Sequence, residues 1–126
     1  MTSTVQRDAV TLVPDSHSTR HWLGQRLSAI ALVPLGLWFL YSLLALPDLG
    51  HRNVSAWIAE PMQAALLALF AWCALWHSAL GLQVVVEDYV PRHLQAPIIR
   101  LLQAVHVAAA IIAAYSVWLL AYGQSA

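Results

Sequence analysis

Hydrophobic positions in this chain gather in three long blocks separated by short polar clusters. Residues 27–47, 61–86 and 101–126 contain no Asp, Glu, Lys or Arg. Each block exceeds or matches the ~20 residues that a helix rising ~1.5 Å per residue needs to cross a ~30 Å hydrocarbon layer. A membrane β-barrel needs many ~10-residue alternating segments, whereas these runs are continuous and rich in Ala and Leu. The pattern therefore predicts an all-α membrane protein with transmembrane helices at about residues 24–46, 60–87 and 97–122. They form one anchor domain over 1–126, preceded by an N-terminal segment over 1–22.

The polar clusters place the connections. Pro47, Asp48, Leu49, Gly50, His51, Arg52 and Asn53 read as a short turn, with Trp57 at an interfacial position beyond it. Glu87, Asp88, Tyr89, Val90, Pro91, Arg92 and His93 read as the second connection, with Pro91 and Pro97 limiting helix continuation on either side. Basic residues then orient the chain, which has no lysine. Arg7, Arg20 and Arg26 precede the first helix and Arg92 and Arg100 lie between the second and third, leaving only Arg52 on the opposite side. Positive residues collect on the cytoplasmic side, so the N-terminus and the second connection are expected there.

Composition agrees and narrows the class. Of 126 residues, 60% are hydrophobic and 10% charged, and mean hydropathy is +0.66, far too apolar for a soluble domain of this size. The formal net charge is zero and no basic run offers a footprint for nucleic acid. Cys73 is the single cysteine, which excludes an internal disulfide and leaves a small buried apolar residue as its plain reading. The first twenty residues hold no apolar h-region and are arginine-poor and acid-containing, so neither a cleaved secretory signal nor a transit peptide is expected. A bacterial inner (cytoplasmic) membrane fits better than a mitochondrial one. Three helices enclose little interior, which implies a larger helical bundle completed by other chains.

The chemistry-bearing residues lie mainly on the second helix. A titratable group at bilayer depth is costly and is usually aimed at a partner, a cofactor or a water path, which makes His77 the first residue to explain. His77, Gly81, Val84 and Asp88 are spaced by four, three and four residues and so share one helical face. Histidine with a small residue one turn away suits axial ligation of haem, the glycine leaving room for a flat macrocycle. The same pair also suits a hydrogen bond to a neighbouring helix and close helix packing. A six-coordinate haem would draw its other ligand from another chain. His106, ~9 Å along the axis from Arg100, is the internal competitor and reads as an interhelical hydrogen-bond partner. Trp72 and Trp76 read as packing residues. Asp88 and Tyr89 lie ~16 Å beyond His77, at the head-group boundary, where a hydroxyl can bind a quinone carbonyl and a carboxylate can relay protons. An interfacial tyrosine anchor beside a helix-ending aspartate fits the same positions. Arg26 reads as a flanking positive residue, with Asp88 or a carboxylate of a cofactor as its alternative partner.

His77, Gly81, Gln83, Val84, Asp88, Tyr89 and Val90, joined by His21, Trp22 and Arg26, resemble the small hydrophobic membrane anchor of succinate dehydrogenase (respiratory complex II). The resemblance covers about residues 21 to 122. It implies that His77 is an axial ligand of haem b, shared with a companion anchor chain of the same complex. It also implies that Arg26 lies near the haem propionates and the quinone pocket, that Tyr89 hydrogen-bonds ubiquinone, and that Asp88 stands beside that site. An iron–sulfur protein carrying the clusters and a flavoprotein carrying FAD are the further partners it implies, with a trimer of whole complexes as one assembly. Pro91 directly after Val90 departs from some relatives, and His106 acquires no role by resemblance. An anchor of a related quinol-oxidising fumarate reductase and a haem-free three-helix scaffold are the alternatives.

Overall fold

The computed structural model describes residues 16–123 and consists, over them, of four helices: α1 (Ser16–Leu44), α2 (His51–Ala59), α3 (Pro61–Tyr89) and α4 (Arg92–Tyr122). Residues 1–15, which include Arg7 and most of the expected N-terminal segment, lie outside the described residues, as do 124–126. Three helices are long and apolar enough to cross a membrane, with spans at Thr19–Leu44, Pro61–Tyr89 and Arg92–Tyr122. Where the long helices depart from the expected bounds they do so by one to eight residues, the largest being the early start of α1 at Ser16. Proline explains part of this. Pro61 occupies the first turn of α3, where its missing N–H is no loss. Pro97 sits inside α4 and does not stop it.

The first connection differs from the turn expected. α1 ends as Ala45 N–H donates to the Tyr41 carbonyl at 3.0 Å, just ahead of Pro47. The Asp48 carboxylate then accepts from the Gly50 N–H at 2.7 Å, an Asx-turn that redirects the chain. A Cβ on Gly50 would lie 2.7 Å from that carboxylate oxygen, so any other residue there would have to displace the Asp48 side chain. From there the Gly50 carbonyl accepts from Asn53 and Val54, both at 3.1 Å, and opens α2. Ser55 and Ile58, three residues apart, are the buried residues of α2, which packs against both α3 and α4.

The second connection is tighter than expected. α3 runs through Glu87, Asp88 and Tyr89, and α4 starts at Arg92, so only Val90 and Pro91 lie between them. α3 packs between α1 and α4. At the end remote from Tyr89, Trp38 and Phe39 of α1 meet Trp57 of α2 and Phe70 of α3, with ring centroids 5.1–6.4 Å apart. Offset and tilted rings at these separations attract beyond their area alone. The chain otherwise buries little: Ile58, Ala64 and Val86 are the buried apolar residues among those described. Its long apolar faces point outward.

Candidate functional site

His77 sits mid-way along α3 and meets α1 through one residue. Ser28, only 4% exposed, places its hydroxyl oxygen 3.1 Å from His77 Nδ1 and 3.0 Å from the Gln25 carbonyl oxygen. A carbonyl only accepts, so the single hydroxyl proton of Ser28 goes to Gln25. The oxygen is then the acceptor toward His77, and Nδ1 carries the hydrogen that it receives. In a neutral imidazole this leaves the lone pair on Nε2, which has no hydrogen-bond partner among the described residues. Small residues let the helices approach there. A Cβ on Gly24 of α1 would touch Leu80 at 3.4 Å and Trp76 at 3.7 Å. A Cβ on Gly81 would meet only Gln25, at an ordinary 3.6 Å, so packing within this chain does not demand glycine at 81.

The second intramembrane histidine is arranged differently. His106 Nδ1 lies 2.8 Å from the Leu102 carbonyl of its own helix, to which it donates. Its Nε2 lies 3.3 Å from the Ser78 hydroxyl of α3, from which it accepts. Both ring nitrogens are therefore engaged, and the interhelical hydrogen bond expected of His106 is present. The ring lies on an apolar groove of about 450 Å³ between α3 and α4, lined also by Trp72, Trp76, Gln103, Val107 and Ile111. Cys73 is a free, half-buried thiol. Among the described residues no three His, Cys, Asp or Glu side chains gather as a metal-binding group.

The face shared by His77, Gly81, Val84 and Asp88 splits along its length. His77 and Gly81 are partly covered by α1, whereas Val84 and Asp88 are exposed. Tyr89 is 84% exposed, and neither its side chain nor that of Asp88 has a hydrogen bond or ion pair among the described residues. Arg26 stacks its guanidinium over the Trp22 ring, 5.0 Å from the centroid, and makes no ion pair with Asp88. The helix register explains why: Arg26 neighbours Gln25, which faces Gly81, and Asp88 lies a further ~10 Å along α3. Arg26 thus belongs to the level of His77, away from Tyr89. The residue that organises the Tyr89 end is Gln95 of α4, which sequence reasoning missed. Its Nε2 donates to the carbonyls of Glu87 at 2.9 Å and Val90 at 2.8 Å, satisfying acceptors that α3 leaves open at its C-terminus. Gln83 donates to the Glu87 carboxylate at 2.8 Å and extends this clamp.

Comparison with known proteins follows the same outline. Residues 5–121 match the family described as succinate dehydrogenase/fumarate reductase transmembrane subunit. A Rickettsia bellii protein named succinate dehydrogenase hydrophobic membrane anchor subunit is 40% identical over 73 residues, covering 57% of this chain and 58% of that protein. Its namesake in Rickettsia felis is 33% identical over 76 residues, or 60% of this chain and 62% of that protein. The matched region thus spans about three-fifths of the length of these curated relatives.

Proposed function

The chain belongs to the succinate dehydrogenase/fumarate reductase transmembrane subunit family, and on that premise we propose that it is the small hydrophobic anchor of a bacterial succinate:ubiquinone oxidoreductase. In this reading it spans the inner membrane with its N-terminus in the cytoplasm. It holds a flavoprotein and an iron–sulfur protein at the membrane surface and completes its bundle with a companion anchor chain.

The observation that carries the reading is the free Nε2 of His77. A histidine buried only for helix pairing gains most when both nitrogens are engaged, as in His106; His77 keeps a lone pair in reserve. That lone pair would serve as a haem ligand, and Gly81 leaves room beside it. Haem b, when bound, supplies a one-electron redox centre within the bundle. Arg26, at the level of His77, would pair with propionate carboxylates, for which a guanidinium fork is suited. Tyr89, exposed in the last turn of α3, donates its hydroxyl to a ubiquinone carbonyl oxygen. That hydrogen bond strengthens as the oxygen gains charge on reduction. Asp88, beside it and exposed, would relay protons from the cytoplasmic side to the quinone oxygen.

The test is a dithionite-reduced minus oxidised spectrum of the complex that co-purifies with this chain, taken with succinate-to-ubiquinone activity. A b-type spectrum with that activity supports the reading. Activity without haem keeps the anchor and removes the His77 assignment; haem with quinol-to-fumarate activity alone makes the chain the anchor of the reverse enzyme. In the same complex, Tyr89→Phe is expected to slow quinone reduction about tenfold or more, the worth of a hydrogen bond to a charging oxygen. Succinate oxidation by an artificial acceptor fed from the flavin should be unchanged, and equal loss in both assays would remove Tyr89 from the quinone site.

A further inference from the structure

We propose that Ser28 is a positioning residue for His77: its buried hydroxyl holds the Nδ1–H tautomer, aims Nε2, and tunes the iron bound there. The inference rests on the haem reading above and deepens it. Ser28 belongs to none of the residues that the family resemblance brings forward, and geometry alone assigns its role.

Proton counting and burial both point to it. Ser28 is among the least exposed residues of the described chain, at 4%. A hydroxyl buried in a membrane helix needs only its own i−3 carbonyl for satisfaction, and Gln25 supplies that at 3.0 Å. The remaining lone pairs face His77 Nδ1 at 3.1 Å, across a seam that joins residues 49 positions apart in sequence. Ser28 is the partner that the described residues give Nδ1, and it is what fixes which nitrogen carries the hydrogen. A ring fixed by such a partner presents one nitrogen in one direction, the arrangement by which metal-ligating histidines are held. Donation from Nδ1–H also makes the imidazole a stronger donor to iron and so favours the ferric state.

The hydroxyl is the proposed agent, so the variants separate it from volume. In the purified complex, normalised to co-purifying flavin, Ser28→Ala is expected to raise the haem midpoint potential. Haem retention against excess apomyoglobin should weaken roughly 10- to 100-fold, the usual effect of losing such a partner. Ser28→Thr keeps an acceptor and should restore both. Wild-type potential and retention in Ser28→Ala, with the b-type spectrum lost in His77→Ala, would overturn the inference and leave the haem reading standing. Equal disturbance in Ser28→Ala and Ser28→Thr would overturn it too, because packing and not the hydroxyl would be responsible. An unchanged spectrum in His77→Ala would instead remove the haem reading, and this inference with it.

Discussion

Two histidines of this bundle each meet a serine across a helix seam, and they do so with opposite nitrogens. His77 gives its Nδ1 to Ser28 of α1 and keeps Nε2 unengaged among the described residues. His106 turns Nδ1 to its own Leu102 carbonyl and engages Nε2 with Ser78 of α3. The residue types and the membrane setting are alike, yet one ring is a closed helix-to-helix link and the other has ligand capacity to spare. What separates them is where a backbone carbonyl lies. On α4 the carbonyl takes the histidine's hydrogen directly. On α1 the Gln25 carbonyl takes the serine's hydrogen, which makes the serine an acceptor. A polar pair in a membrane therefore reports its function only when its protons are followed to the end of the network.

Variants that act on one seam and spare the other sharpen this contrast. The largest effect is expected at Gly81. Gly81→Leu should fill the space beside His77 and abolish haem incorporation, read as the ratio of haem to flavin in the purified complex. Gly81→Ala should retain it, since its Cβ would meet only Gln25 at 3.6 Å, and should add up to about 1 kcal/mol of helix propensity. Haem loss in the alanine variant would show that the seam is tighter than this. Next comes the corner between α3 and α4. Gln95→Ala removes two hydrogen bonds to the end of α3, each worth about 1 kcal/mol net. It should lower the thermal stability of the assembled complex and slow quinone reduction through Tyr89, with the haem spectrum unaltered. The smallest effect belongs to Ser78→Ala, which loses one 3.3 Å contact worth about 0.6 kcal/mol between membrane helices. It should leave both haem and quinone assays unchanged, and a shifted haem spectrum there would contradict the division between the seams.

The three spans were legible in the sequence because apolar length alone decides them, and three helices of that kind are what the structure contains among its described residues. The short helix α2 was not. Pro47, Asp48 and Gly50 ahead of it are turn residues, and they do make a turn, but Ser55 and Ile58 then find burial against α3 and α4, a tertiary gain that the local pattern does not display. Pro97 misled for the opposite reason: a proline near the start of a long helix forfeits one hydrogen bond, and the packed apolar length beyond it outweighs that. His77 stood out as a charge-capable side chain in an apolar run. Ser28 did not, since serine is unremarked in a membrane helix until its partner, 49 positions away, is known. Gln95 was hidden likewise, because its carbonyl partners belong to the backbone. Tyr89 and Asp88 drew their roles from resemblance, and both side chains are exposed.

The central claim is that His77 presents a free nitrogen, and the most direct measurement is the reduced minus oxidised spectrum of assembled complex carrying His77→Ala beside one carrying His106→Ala. The b-type spectrum should be lost or shifted to a high-spin form in the first and identical to wild type in the second. An unchanged spectrum in His77→Ala, or a loss confined to His106→Ala, would contradict the claim.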